Sequence, residues 1–308
     1  MFSELEKYKS LDFFARQVVE GFVTGLHKSP FHGFSVEFAE HRQYNPGEST
    51  RNIDWKLYAR TDRLFVKRYE EETNLRCQLV IDQSSSMFFP IERHGSLSYP
   101  NKLTFSVYAA ALLVELLSRQ RDAFGLTLIS EGVDQQTEVR SSATHKQHIF
   151  HLLESVLRQP MDASRARRTT SIADSLHLTA ERLHRRSLVV IFTDAFVRSD
   201  EEEALMGALR HLRHCKHEVL LFHTIDRRLE MQFDYGSRPT EFIDLETGRR
   251  LKVQPAEVAE RYRAAVAAQE SHLRQQSIQY HIDFHSVDVA QGFEPIMLPF
   301  LLNRGRHY

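Results

Sequence analysis

Asp82, Ser84 and Ser86 stand at D-x-S-x-S spacing directly after the apolar run Leu79-Val80-Ile81. One carboxylate and two hydroxyls on alternate residues, just past a strand end, can bring three hard oxygens to one point. Hard oxygen donors select Mg²⁺ or Mn²⁺. Neutral hydroxyls leave such an ion electrophilic, so an outside carboxylate can complete its coordination. Two later residues fit the same chemistry. Thr170 opens an expected helix after an arginine-rich loop, and Asp194 ends Val190-Ile191-Phe192-Thr193. Asp194 is expected to act mainly through water. The competing reading makes Ser84-Ser85-Ser86 a helix-capping turn and Thr170 or Ser171 an N-cap. Matching apolar strands before Asp82 and before Asp194 favour the metal.

These groups need elements to position them. From residue 76 onward, strand-sized apolar runs alternate with helical patterns. Strands are expected at 77–81, 125–129, 188–193, 219–225 and 280–285, the second with a hairpin partner ending near residue 139. Helices are expected at 103–117, 149–157, 172–183, 201–212, 257–276 and 295–302, with a variable insert over 227–250. Continuous apolar strands between helices indicate an α/β fold, a doubly wound and mostly parallel sheet covered on both faces. Ligands of such sheets sit beyond the carboxyl ends of strands, near the topological switch point. Asp82 and Asp194 both fall at carboxyl ends. Before this region come an amphipathic helix over 3–26 and a β-rich stretch over 31–76. That stretch holds short runs at 35–38 and 64–67 around the turn Asn45-Pro46-Gly47-Glu48. The expected organisation is a helix and small β-rich extension over 1–74, then the α/β domain over 75–308.

Bulk properties narrow the function. The 308 residues are 42% hydrophobic and 26% charged, with a net charge of −1. No long-range field draws such a chain to nucleic acid or to an anionic membrane. Cys77 and Cys215 lie far apart in no metal-like or redox-like spacing, which suits a reducing compartment. No apolar run approaches the ~18 residues of a membrane span, and the charged first ten residues are no signal peptide. A cytoplasmic location is expected. Phosphate-loop, dinucleotide, zinc-protease and nucleophile-elbow motifs are missing, and 12 glycines supply phosphate loops poorly. The expectation is therefore a non-enzymatic binding protein. Its rival, a metal-dependent phosphoester hydrolase, would need a second metal or a base beside Asp82.

Other groups have two readings each. His145, His148 and His151, like His211, His214 and His217, recur every third residue, a spacing that can serve zinc or mark a solvated helix face. Arg165, Arg167 and Arg168 could clamp acidic groups or form a solvated loop. The acid–base block around Trp55 could anchor a partner or fasten the extension to the sheet.

Asp82, Ser84 and Ser86, followed by Thr170 and by Asp194, resemble the metal-ion-dependent adhesion site of von Willebrand factor type A (vWA) domains. Upstream, the run from Glu37 through Asn45-Pro46-Gly47-Glu48, then Arg51-Asn52-Ile53-Asp54-Trp55-Lys56, Ala59-Arg60-Thr61-Asp62-Arg63-Leu64 and Glu70-Glu71-Glu72-Thr73, is similar to the hallmark of the bacterial "domain of unknown function 58" family. The two signatures cover roughly residues 28–300. The resemblance implies a vWA-like fold, one divalent ion, and an acidic side chain of a protein partner as its last ligand. It also implies a chaperone-like or assembly role with a MoxR-type AAA+ ATPase. Where many relatives have glycine before the metal-ligand threonine this chain has Thr169, so either Thr169 or Thr170 could face the ion.

Overall fold

The computed structural model describes residues 10–27, 41–43, 58–60, 65–67, 75–159, 172–195 and 199–304. The chain forms two compact units, one of Val23–Asn74 and one of Met1–Phe22 with Leu75–Tyr308. In the smaller unit, β1 (His41–Gln43) pairs antiparallel with β2 (Phe65–Lys67), His41 opposite Lys67. The run expected at 35–38 lies outside the described residues.

The larger unit is built on β3 (Arg76–Asp82), β4 (Ala123–Ile129), β5 (Val133–Gln136), β6 (Leu188–Thr193), β7 (Glu218–Ile225) and β10 (Asp283–Asp288). They form one sheet in the order β10-β7-β6-β3-β4-β5, parallel throughout except for the edge strand β5. β3 through β7 are buried along nearly their whole lengths apart from β5, because parallel strands are covered on both faces. This is the expected α/β architecture.

Helices supply the cover. α1 (Leu11–His27) buries Leu11, Phe14, Ala15 and Val19, the spacing of one helical face. Phe14 meets the rings of Tyr108 and Phe293 edge-on at 4.9 and 5.9 Å. α2 (Lys102–Arg119) is buried almost all round and stacks Phe105 on Phe293. On the opposite side, α4 (Ile172–Arg182) and α5 (Ser199–His214) share a core with β6 and β7, centred on Leu176, Ile191, Leu209 and Leu221. α3 (Ala143–Arg158), α6 (Pro255–Gln279) and α7 (Glu294–Arg304) complete the layers. Among the described residues, no helix is long and apolar enough to cross a membrane.

Several expectations shift. α3 starts at Ala143 and not near 149, because the Ser142 hydroxyl accepts from the His145 amide and nucleates a first, polar turn. The last strand begins at Asp283 and not at 280. α6 runs on to Gln279, and His281 (φ 55°) reverses the chain before pairing starts. The 227–250 insert is more ordered than expected: a wide turn over Arg227–Met231, then the strands β8 (Thr240–Ile243) and β9 (Arg250–Val253) of a hairpin. Phe233 stacks on Phe242 of the hairpin and packs tilted against Tyr262, and Tyr235 meets Phe242 edge-on.

Candidate metal centre

β3 and β6 are hydrogen-bonded neighbours, and the chain leaves β3 toward β4 on one side and reaches β7 from β6 on the other. The carboxyl ends of these two strands are the switch point of the sheet, where the diverging connections leave a crevice. Asp82 ends β3 and Asp194 follows β6, so both carboxylates stand at that crevice, each only 4% exposed.

The Asp82 carboxylate is held from two sides. Its Oδ1 accepts from the Ser84 amide at 2.8 Å, and its Oδ2 accepts from the Thr193 hydroxyl at 2.7 Å. Ser84 precedes a short helical turn over Ser85–Phe88, which brings its Oγ to 3.1 Å from the Ser86 Oγ. Adjacent ligands of an octahedral ion with bonds of about 2.1 Å are about 3 Å apart, so the two hydroxyls are spaced as neighbouring ligands would be. Thr193 also accepts from the Ala195 amide at 3.0 Å. Ala195 takes a left-handed backbone (φ 45°), a conformation that costs a residue with a Cβ about 1 kcal/mol. Local strain of this kind gathers where a side chain must be aimed.

Two further residues belong to the cluster, and neither was foreseen. The Lys102 ammonium, 1% exposed, donates to Asp194 Oδ2 at 2.7 Å and to Glu230 Oε1 at 2.5 Å. Glu230 sits in the wide turn after β7, where its Oε2 accepts from the Asp226 amide at 2.7 Å. Asp226 caps that turn and pairs with Arg93 at 2.8 Å. A signal for Lys102 was present. It is the first residue of a helix capped by Asn101, and a cation there opposes the helix dipole unless anions compensate it. Nothing local marks Glu230, which is 128 residues from Lys102.

The electrostatics follow from these contacts. Burial and then the charge of Asp194 push the Asp82 carboxyl up from 3.8 to about 6, against the hydrogen bonds it accepts. Burial works against the Lys102 charge, but Asp194 and Glu230 outweigh it and the ammonium is held more firmly than usual. Burial raises Glu230, opposed by Lys102. Next to them, His223 is buried and lines a cavity of about 30 Å³ with Asp194 and Glu230, and burial pushes its imidazole below the usual histidine range. Among the described residues, the Lys102 ammonium faces two carboxylates, Asp194 and Glu230, and the Asp82 carboxylate lies in the field of Asp194.

Thr170, its neighbour Thr169, the arginines at 165, 167 and 168, and Trp55 lie outside the described residues. The histidine triplets do not assemble as such. His145 bonds the Phe124 carbonyl, His211 meets His177 of α4 with Nδ1 atoms 2.9 Å apart, and His217 lies buried beyond the end of α5. Among the described residues, no group of three or more His, Cys, Asp or Glu could hold a metal. A site built from one carboxylate and hydroxyls is of a different kind.

Uncharacterized proteins of Mycobacterium tuberculosis and Mycobacterium bovis are 27% identical to this chain over 264 residues, 84% of it and 77% of each relative. Among solved structures, the conserved hypothetical protein BatB from Bacteroides thetaiotaomicron is similar at 12% identity and a TM-score of 0.46, over 76% of this chain and all of that one. An uncharacterized membrane spanning protein from Vibrio fischeri reaches 10% identity and 0.24, over 76% of this chain and 98% of that one. Scores below 0.5 add nothing to the fold described above. The decisive match spans residues 40–273, and it places the chain in the family described as protein of unknown function DUF58.

Proposed function

We propose that the protein is a non-enzymatic, metal-dependent binding module of the vWA type. Asp82, Ser84 and Ser86, with Thr170, would hold one Mg²⁺ or Mn²⁺, and Asp194 would act through water. The bound ion would offer a Lewis-acidic position to an Asp or Glu of a protein partner. The observation that carries this reading is the buried Asp82 carboxylate, in the field of Asp194, beside two hydroxyls at ligand spacing. Buried charge without a counter-charge is costly, and one divalent cation would neutralise it. The donors are hard oxygens, which favours Mg²⁺ or Mn²⁺ over softer ions. Resemblance to the family supports a MoxR-type AAA+ ATPase as partner and a chaperone-like or assembly role in the cytoplasm.

Thermal unfolding of the full chain tests the ion. An ion at 100 times its dissociation constant stabilises by about 2.7 kcal/mol, which raises Tm on the order of 5 °C. Millimolar Mg²⁺ should do this for the wild type and not for Asp82→Ala. Identical Tm values with Mg²⁺ and with chelator would sink the reading. Binding to a purified MoxR-type ATPase, present with Mg²⁺ and lost in Asp82→Ala, tests the partner. Phosphoester turnover abolished by the same substitution would replace the binding reading with hydrolysis.

A further inference from the structure

We propose that Lys102 sets the affinity of this centre: its ammonium holds Asp194 out of the coordination sphere, so the ion is bound tightly only when a partner's carboxylate joins it. This rests on the metal-binding reading above.

Lys102 is not free to swing aside. Its ammonium is fixed between Asp194, just past β6, and Glu230, in the turn after β7. Glu230 is in turn held by the Asp226 amide, and Asp226 by Arg93 and by its own turn. The cation therefore reaches Asp194 from a frame of three separate segments. With Asp194 paired to Lys102, Asp82 is the one carboxylate among the described residues hydrogen-bonded within the Ser84–Ser86 turn. The affinity of oxygen sites for divalent ions rises with the number of charged ligands. A site with one carboxylate holds its ion weakly, and an incoming Asp or Glu restores the second charge. Ion and partner then strengthen each other's binding by the same factor, as linkage requires. The bland alternative is an ionic lock that only ties α2 to the loops after β6 and β7.

The two are separated by a charge-neutral double substitution. Lys102→Met/Glu230→Gln removes one cation and one anion, so the net charge of the cluster is unchanged while the Lys102–Asp194 ion pair is removed. Mn²⁺ binding to the full chain, with no partner present, is measured by calorimetry and by electron paramagnetic resonance. The double variant should bind Mn²⁺ at least tenfold more tightly than the wild type, with an altered Mn²⁺ spectrum as Asp194 enters the sphere. Affinity that is unchanged or weaker in the folded variant overturns the proposal, because losing a mere lock cannot tighten binding. Lys102→Gln/Glu230→Gln, which keeps polar side chains at both positions, is the second variant should the first not fold, and the same outcomes decide. If neither wild type nor variant binds Mn²⁺, the metal reading itself has failed and this proposal falls with it.

Discussion

The two ends of α2 carry two buried ion clusters, and they are built differently. Near its carboxyl end, Glu115 is 4% exposed and meets two cations, Arg119 at 2.8 Å and Lys146 at 2.5 Å. Lys146 also approaches Asp12 of α1, so this cluster fastens α1, α2 and α3 together. At the amino end, one ammonium faces Asp194 and Glu230, with Asp82 close by. One cluster matches two carboxylates, Glu115 and Asp12, with two cations, Arg119 and Lys146. In the other, among the described residues, one ammonium is shared by two carboxylates, Asp194 and Glu230. The second cluster stands at the switch point of the sheet, where a binding role is proposed.

The largest expected effect comes from removing the amino-end cation, Lys102. Lys102→Met should cost about 3–5 kcal/mol in chelator, the usual penalty for stranding buried charge. Lys146→Met, which leaves Glu115 its Arg119 partner, should cost about 1 kcal/mol. Equal losses in urea unfolding would break the contrast between the two ends.

A smaller effect should appear in pH dependence. Folded Asp82 keeps its proton up to about pH 6, whereas the ordinary value is 3.8. Between these values the folded state binds more protons than the unfolded one, so this group's contribution to stability falls as pH rises from about 4 to about 6. In chelator, Asp82→Asn should gain on the wild type over that window, on the order of 2 kcal/mol, and stay level above it. Mg²⁺ should shrink the gain. A difference that is flat with pH would show that Asp82 is not held in an adverse field.

Smallest is the strain at Ala195. Glycine tolerates its left-handed backbone, so Ala195→Gly should relieve about 1 kcal/mol, partly offset by the greater freedom of the unfolded chain. A net gain of up to about 0.5 kcal/mol is expected. A clear loss on chemical unfolding would mean that the Ala195 methyl does packing work outweighing the strain.

Much of the frame was legible in the residues. Leu188–Thr193 matches expectation to the residue because a strand buried on both faces is a continuous apolar run. α3 was expected too short because its first turn, from Ala143, is stabilised by a cap rather than by an apolar stripe. The β8–β9 hairpin was missed since β8 and β9 are only four residues each and mostly exposed, so little apolar alternation marks them. In the centre itself, Asp82, Ser84 and Ser86 were readable because their convergence needs only one turn of chain.

By themselves, then, the residues determined the alternating α/β layers, the strand ends at which Asp82 and Asp194 stand, and the oxygen character of the centre. All of these follow from local hydrophobic patterning and side-chain type. Only the tertiary structure decided that Lys102 neutralises Asp194 and that Glu230 shares the ammonium. Those contacts join three segments separated by as many as 128 residues. Coulomb forces act on distance in space, which chain order does not disclose until the sheet has folded.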